Sequence, residues 1–563
     1  MTRKLMMAAL SGALAASSYP LFLVDGPNGE TDWFSLPWLI FVAYVPLHVA
    51  AFSEPSGRRR FALGVVTGAV HLACMQNWIA DTLVLMSHFP QWLAVIAMLV
   101  YTTWIGIGLG LVMWASGQAR DGLRAARGST RARVFATLLF IPSAIVVFER
   151  YFPALFPFHA AGAFFEHPLM MQTAGWFGIS GLSIFVHAVN TGLAHTWLVK
   201  RDTAIFQWRI PAALLGVWAL LIGLSTWRYY SNTSGTETLS VLLIQPNVTV
   251  EQKNAKNPAV REGVWTRTIR QTRATVKEVA ASGPVDFVVW PEGGFPFTYE
   301  SPEDAVPGGV KTRPARYSEA LRRFTSELDF DFLTGSLATL IQGEERRTTN
   351  SALFFPKGGA DVSGSSVPNG LRYNKQMLLF FGESVPFAET FPKLREAIPG
   401  MSHYVPGEAH ATWTSRRVPF AFTLCYEAIF GDFTASAVAA TGARFILNIT
   451  NDVWFGVTTA PAQHLMVQVP RTVELGLALV RSTNSGITAF VDRDGTIAQR
   501  TQLSETTHLH RHVDVSPRSP TLYSLAPEAF LWLCFGIGLI CVTFPARRAP
   551  AQTDGQRNDA PVA

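Results

Sequence analysis

Residues 419–433 read PFAFTLCYEAIFGDF: an apolar run closes on Cys425 and a short acidic stretch follows. The chain has four cysteines. Cys74, Cys534 and Cys541 fall inside long apolar segments, where a thiol is ordinarily a small hydrophobe. Cys425 alone lies in a stretch with the texture of a soluble domain. FAFTL reads as a strand, and the residues after it can start a helix, so the cysteine is expected at a strand end. Helix-start N–H groups and a nearby cation would favour thiolate over a reference pKa of about 8.5. On this residue alone, a buried structural thiol is equally open.

The surroundings decide between the two. SVLLIQPN, VDFVVWPE, FDFLTGS, SALFFP, FAFTLCYE, RFILNITND and ITAFVDRDGTI read as strands, with Asp494-Gly495 as a hairpin turn. Segments 257–281 and 315–328 have helical spacing. The alternation predicts an α/β domain over residues 239–516, its sheets covered by helices. VDFVVWPEGG brings Glu292 to the rim of a buried strand, where a carboxylate is a candidate general base. RYNKQMLLFFGESVPF carries Lys375 and, eight residues on, Glu383; a lysine among apolar residues can hold positive charge where an oxyanion develops. Base, cation and thiol make a complete set for acyl transfer.

The rest of the chain reads as membrane protein. Nearly half of the 563 residues are apolar and 15% are charged. A spanning helix needs roughly 20 apolar residues. About eight spans are expected, near 4–24, 34–53, 61–85, 91–115, 134–151, 174–199, 210–227 and 525–545. The first also resembles a signal peptide, with ALAAS as a cleavage site; a retained helix is the preferred reading. The organisation is thus an α-helical membrane bundle at 1–228, the α/β domain, a last span at 525–545 and a disordered tail at 546–563. The net charge of +6 is not a nucleic-acid signature. Its arginines cluster in alternate loops: GRRR at 57–60, then Arg120, Arg124, Arg127, Arg131 and Arg133, then Lys200, Arg201 and Arg209. The positive-inside rule places those loops in the cytoplasm and residues 228–524 on the far side, which in a bacterium is the periplasm.

WPE with Glu292, YNK with Lys375, FGE-x-VPF with Glu383 and CYE with Cys425 resemble the nitrilase, or carbon–nitrogen hydrolase, superfamily. QPN at 245–247, TNDVWFG at 450–456, QHL at 463–465, VELG at 473–476 and RSTNSGITA at 481–489 extend the match. With the spans, the chain is similar to the apolipoprotein N-acyltransferase family over roughly residues 1–545. The resemblance implies an αββα sandwich and a Glu–Lys–Cys triad. Glu292 would be the base, Lys375 the oxyanion stabiliser and Cys425 the nucleophile. Glu383 would support them, and Tyr426 and Glu427 would line the site. The implied reaction moves an acyl chain from a membrane phospholipid, through a thioester, to the free α-amine of an apolipoprotein's N-terminal S-diacylglyceryl-cysteine. No cofactor or metal is implied, and a monomer is expected. Two departures touch substrate-facing loops: Asn254 follows Lys253 where the family usually has tryptophan, and APA precedes Gln463 where it often has G-P-H.

Other features have plainer readings. His508, His510 and His512 share one face of a strand at period two and read as a polar face. Glu149 and Arg150 end the fifth span as interfacial residues. Residues 388–407 mix Phe391, Leu394, Ile398, Met401 and Tyr404 with Pro and Gly, and read as a mobile membrane-touching lid. The main competing function is a membrane-tethered nitrilase-type amidase or hydrolase, but one anchor helix would suffice for that. A transporter would need charged residues along its spans, and these show almost none.

Overall fold

In a computed structural model of the chain, the described residues are 1–26, 30–87, 89–125, 130–203, 209–231, 237–300, 313–342, 345–357, 372–380, 382–384 and 404–546. The expected tail beyond residue 546 lies outside them, as does all of the expected lid except 404–407.

The strands are β1 (Phe22–Asp25), β2 (Thr31–Phe34), β3 (Thr238–Gln245), β4 (Phe287–Val289), β5 (Asp331–Gln342), β6 (Glu345–Phe355), β7 (Arg372–Asn374), β8 (Thr414–Ser415), β9 (Val418–Leu424), β10 (Phe445–Thr450), β11 (Ala478–Thr483), β12 (Ala489–Val491), β13 (Ile497–Arg500) and β14 (Thr507–Asp514). β1 and β2 form a hairpin among the N-terminal helices. The others build two six-stranded sheets, ordered β13-β12-β11-β10-β9-β8 and β14-β3-β4-β5-β6-β7. At the centre of each, β9, β10 and β11 run parallel, as do β3, β4 and β5.

Alternation along each strand makes the layers. Val241, Leu243, Phe287 and Val289 of one sheet meet Phe420, Phe422, Phe445 and Leu447 of the other in a closed apolar interior. The opposite faces carry Leu242, Ile244, Val288 and Trp290, which pack with Leu321 and Phe324 of helix Arg313–Ser326. The outer face of the β9–β13 sheet is covered by helices Gly431–Thr441, Ala460–Met466 and Val469–Leu475. Ile446, Leu465 and Val469 there share a core with Tyr19, Leu72 and Phe164 of the N-terminal helices. The catalytic-type sandwich is therefore αββα, and one of its helical layers is packed into the helical bundle.

Among the described residues, three helices are long and apolar enough to cross a membrane: Gln91–Ala119, Ala174–Leu198 and Ala212–Tyr230. Gly57–Met75 and Trp78–Met86 make a fourth if that pair, bent by 59°, counts as one span. The other expected spans form differently. Residues 4–24 give helix Thr2–Ala16, whose 15 residues rise only about 22 Å against a hydrocarbon core of about 30 Å. Residues 34–53 divide into a 3-10 turn, Pro37–Phe41, and helix Val45–Phe52, with Pro46 in the first turn where no N–H is needed. Pro142 stays inside helix Thr130–Tyr151.

Gln463 ties the two halves together. Its Nε2 donates to the carbonyls of Pro20 (2.8 Å) and Met75 (2.7 Å), and its Oε1 accepts from Trp78 Nε1 (2.9 Å). The Ile179 amide donates to Glu474 at 2.8 Å, and the Tyr426 hydroxyl to the Leu155 carbonyl at 2.6 Å. Glu149 is not interfacial. It is buried, faces His187 Nε2 at 2.8 Å and accepts from the Ala160 amide at 3.1 Å. Its neighbour Arg150 turns the other way and pairs with Asp432 at 2.9 Å.

Candidate active site

β9 ends at Leu424, and the chain enters a 3-10 turn, Cys425–Ile429. Cys425 opens that turn at φ 53°, a left-handed conformation that costs a non-glycine residue about 1 kcal/mol or more. The buried Glu427 holds the turn in shape. Its carboxylate accepts from the Leu424 amide (2.7 Å), the Gln376 amide (2.6 Å), the Met377 amide (3.2 Å) and, with both oxygens, the Tyr373 hydroxyl (2.8 Å). Glu427 thus joins the cysteine turn to the lysine segment after β7. Burial lifts its carboxyl to about 7, against the pull of the Leu424 amide and the Lys375 charge.

Glu292 follows β4, where Gly293 at φ 70° turns the chain. The turn lies hard against β5: a Cβ on Gly335 would sit 2.5 Å from the Cα of Glu292, so only glycine fits there. Asn350 on β6 donates through Nδ2 to Glu292 at 2.7 Å and to Glu383 at 2.6 Å, and its carbonyl accepts from the Lys375 amide at 2.8 Å. Lys375 is 1% exposed and its Nζ lies 2.7 Å from Glu383 Oε2. Burial alone would strip its proton, but the charge of Glu383, helped by Cys425 and Glu292, raises its pKa above the ordinary lysine value. Glu383 is driven up by burial and pulled below the usual carboxylate range by Lys375 and the Leu379 amide. The pair is ionised. Its net charge is near zero, which lets so buried a lysine persist.

The structure thus gathers Glu292, Lys375, Glu383, Cys425 and Glu427 into one place, as the sequence predicts. Tyr426, next to Cys425, feels the Lys375 charge and also reaches away from it. Its hydroxyl is spent on Leu155, and its ring packs edge-on against Phe156 at 6.2 Å, so it braces the site against the N-terminal helices. The thiol differs from expectation. Burial pushes Cys425 up to about 12, with the negative charge of Glu292 adding and Lys375 only partly offsetting. The resting side chain is the thiol, and ionisation requires a base at the moment of attack.

Several further residues at the site have contacts that the sequence does not declare, although Asp452, His464 and Arg481 fall inside the TNDVWFG, QHL and RSTNSGITA stretches. Asn350 is one: it sits in a threonine-rich strand where nothing marks it as a bridge between carboxylates. Lys253 is another. Its Nζ lies 4.1 Å from the centre of the Trp454 ring, and it feels the charges of Glu292 and Cys425 while burial, the larger effect, lowers its pKa. Trp454 comes from the 3-10 turn after β10, and Asn254 is exposed at the end of helix Val250–Lys253. The third group is Asp452, His464 and Arg481, buried together beside the Glu292 turn. Among the described residues no group of three or more His, Cys, Asp or Glu side chains is arranged to hold a metal ion.

Comparison with known proteins agrees with this geometry. Residues 229–519 match the carbon–nitrogen hydrolase family, and residues 11–192 match the apolipoprotein N-acyltransferase N-terminal domain. An apolipoprotein N-acyltransferase from Geobacter metallireducens is 27% identical, with 97% of this chain and 96% of that one aligned. One from Bdellovibrio bacteriovorus is 26% identical over 88% of this chain and 86% of its own. Among solved structures, an amidase from Nesterenkonia sp. is 16% identical with a TM-score of 0.34, covering 54% of this chain and 99% of that one. The chain belongs to the carbon–nitrogen hydrolase family, and its N-terminal residues match the N-terminal domain of the apolipoprotein N-acyltransferases whose name its curated relatives carry.

Proposed function

We propose that the protein transfers an acyl chain from a membrane phospholipid, through a thioester on Cys425, to the free α-amine of the N-terminal S-diacylglyceryl-cysteine of apolipoproteins. The observation that carries the reading is the buried cluster of Cys425, Lys375 and Glu292 walled by residues of the helical bundle.

Glu292 takes the thiol proton as Sγ attacks the ester carbonyl. Lys375, with a backbone N–H near Tyr426, stabilises the tetrahedral oxyanion, and Glu383 and Asn350 fix the lysine and the base. The proton passes to the departing lysophospholipid oxygen and a thioester remains. The amine then attacks, the C–S bond breaks and the amide is released. The apolar helical elements, eight in this reading, hold the catalytic domain on the periplasmic face of the inner membrane. The membrane-facing wall excludes water, which would otherwise hydrolyse the thioester.

Intact mass spectrometry after incubation with phospholipid tests the first half, with an acyl adduct on Cys425 expected. The adduct is long-lived in phospholipid micelles alone. It discharges when a diacylglyceryl-cysteine peptide with a free α-amine is added, and not with the same peptide acetylated. Equal decay in all three conditions with release of free fatty acid would identify a hydrolase instead.

A further inference from the structure

The proton balance of the second half-reaction leaves one proton without a destination. An α-amine is largely ammonium at neutral pH, and in becoming an amide nitrogen it loses two protons. One restores the Cys425 thiol, and Glu292 can carry it. The other must leave the site, so a second acceptor is needed. His464 is placed to be that acceptor. It is 7% exposed and stands in the wall of a small pocket between the N-terminal helices and the catalytic domain. Phe156, Phe455, Trp78 and Ile429 line the same cavity, and Phe156 is the ring that packs on Tyr426, the residue after the nucleophile.

The imidazole is oriented. Nδ1 lies 2.8 Å from Asp452 Oδ1, while Arg481 Nη2 is 2.9 Å from Asp452 Oδ2 and 3.3 Å from Nδ1. An ionised carboxylate only accepts, so the 2.8 Å contact requires the proton on Nδ1. Nε2 is then a lone pair, buried and without a hydrogen-bond partner among the described residues. Burial, and next the Arg481 charge, lower the His464 pKa; Asp452 and, more weakly, Glu292 oppose this. The neutral ring that results is a base. Among the described residues the titratable and charged groups facing it are Asp452, Arg481 and Glu292, and the other cavity walls are apolar or amide side chains.

We propose that His464, held by Asp452, accepts through Nε2 the second proton of the incoming ammonium and so serves the aminolysis step specifically. This rests on the acyl-enzyme reading above. The bonds balance: the amine lone pair forms N–C, C–S breaks, one proton goes by Glu292 to Sγ, and the other goes to Nε2 and then to solvent.

The test is single-turnover. Acyl-enzyme is formed with phospholipid in wild type, His464→Gln and His464→Asn, and adduct formation and discharge are timed separately by intact mass. Discharge by the diacylglyceryl-cysteine peptide is expected to fall about 10²-fold or more in both variants, far more than adduct formation. The wild-type discharge rate falls on acidification through the lowered His464 pKa, and the variants lose that inflection. Hydroxylamine, which arrives largely unprotonated, discharges variant and wild-type adducts at similar rates. A variant slowed equally in both halves, or toward hydroxylamine as much as toward the peptide, would make His464 structural and overturn the proposal, as would unimpaired discharge by the peptide. Failure of wild type to form any adduct overturns the underlying acyl-enzyme reading, a distinct result.

Discussion

Asn350 and Glu292 meet at 2.7 Å, and the same amide nitrogen of Asn350 lies 2.6 Å from Glu383. One Nδ2 has two hydrogens, and each goes to a different carboxylate. The bond therefore sets the spacing between Glu292 and Glu383, the partner of Lys375. The backbone of Asn350 also receives the Lys375 amide. Base, lysine and supporting glutamate are thus indexed to a single residue of β6.

Asn350→Leu removes both bonds, and the acyl-adduct rate is expected to fall about 10²-fold, the scale of a misplacement near 1 Å. Asn350→Asp is expected to be worse, because a third carboxylate replaces a donor. Timed adduct formation checks both, with Asn350→Leu at wild-type speed as the result that removes this role.

The triad variants fail in different ways. Cys425→Ala is expected to form no adduct at all. Lys375→Ala and Glu292→Gln retain the nucleophile and form adduct slowly, about 10²–10³-fold below wild type for loss of one charge-stabilising group. An adduct that persists in Cys425→Ala would show the nucleophile to be misassigned.

Much of this site is legible in the sequence because Glu292 and Cys425 each follow closely on an apolar run. VVWPE and FTLCYE announce both a strand and its end, so Glu292 and Cys425 fall at strand ends as expected. What the sequence hides are relations across strands. The bond from Asn350 to Glu292 depends on β6 lying beside β5, and the registry pairing Ser336 with Ser351 has no local signature. The thiol's ionisation differs from the local expectation for a related reason. Local order shows a helix start and a cation, but burial and the facing Glu292 charge come from the fold, and they win. The spans show the same limit. Apolar length gives the helical segments, while the turn after Ala16 and the bend after Met75 are met by Gln463, and at the break within 42–44 Asn190 accepts from the Tyr44 amide and donates to the Ile40 carbonyl.

Glu427 gives a pH dependence whose sign can be worked out. Its folded pKa of about 7 stands above the ordinary 4.5, so the folded protein holds this proton more tightly than the unfolded chain does. Its contribution to stability is fully present below about 4.5 and is lost as pH rises toward about 7, at up to about 1.4 kcal/mol per pH unit. Glu427→Gln cannot ionise. The wild-type Tm in detergent micelles is expected to fall more steeply between pH 5 and 7 than that of the variant, whatever the variant's baseline. Parallel slopes would mean that Glu427 does not titrate in this window.

The last prediction concerns the side of the membrane on which this chemistry occurs. A lipoprotein amine reaches the site only if the catalytic domain is outside the cytoplasm. The arginine-rich loops argue for that placement: three basic clusters occur in alternate connections, at 57–60, 120–133 and 200–209, and the intervening loops lack Lys and Arg. Helix Arg209–Ser231 then leads from the third basic loop into β3, so the catalytic domain begins on the opposite side from Arg201. The short first helix and the broken segment at 34–53 do not enter this step, because the placement of the catalytic domain is read from the basic connection at 200–209 and the one long apolar helix, Ala212–Tyr230, that follows it. A reporter active only in the periplasm is expected to be active when fused after Tyr229 and inactive when fused after Arg201. The reverse pattern would put Cys425 in the cytoplasm. The phospholipid donor would remain available there, but the lipid-modified N-terminal cysteine would not, and the acceptor assignment would fall while the thioester chemistry stood.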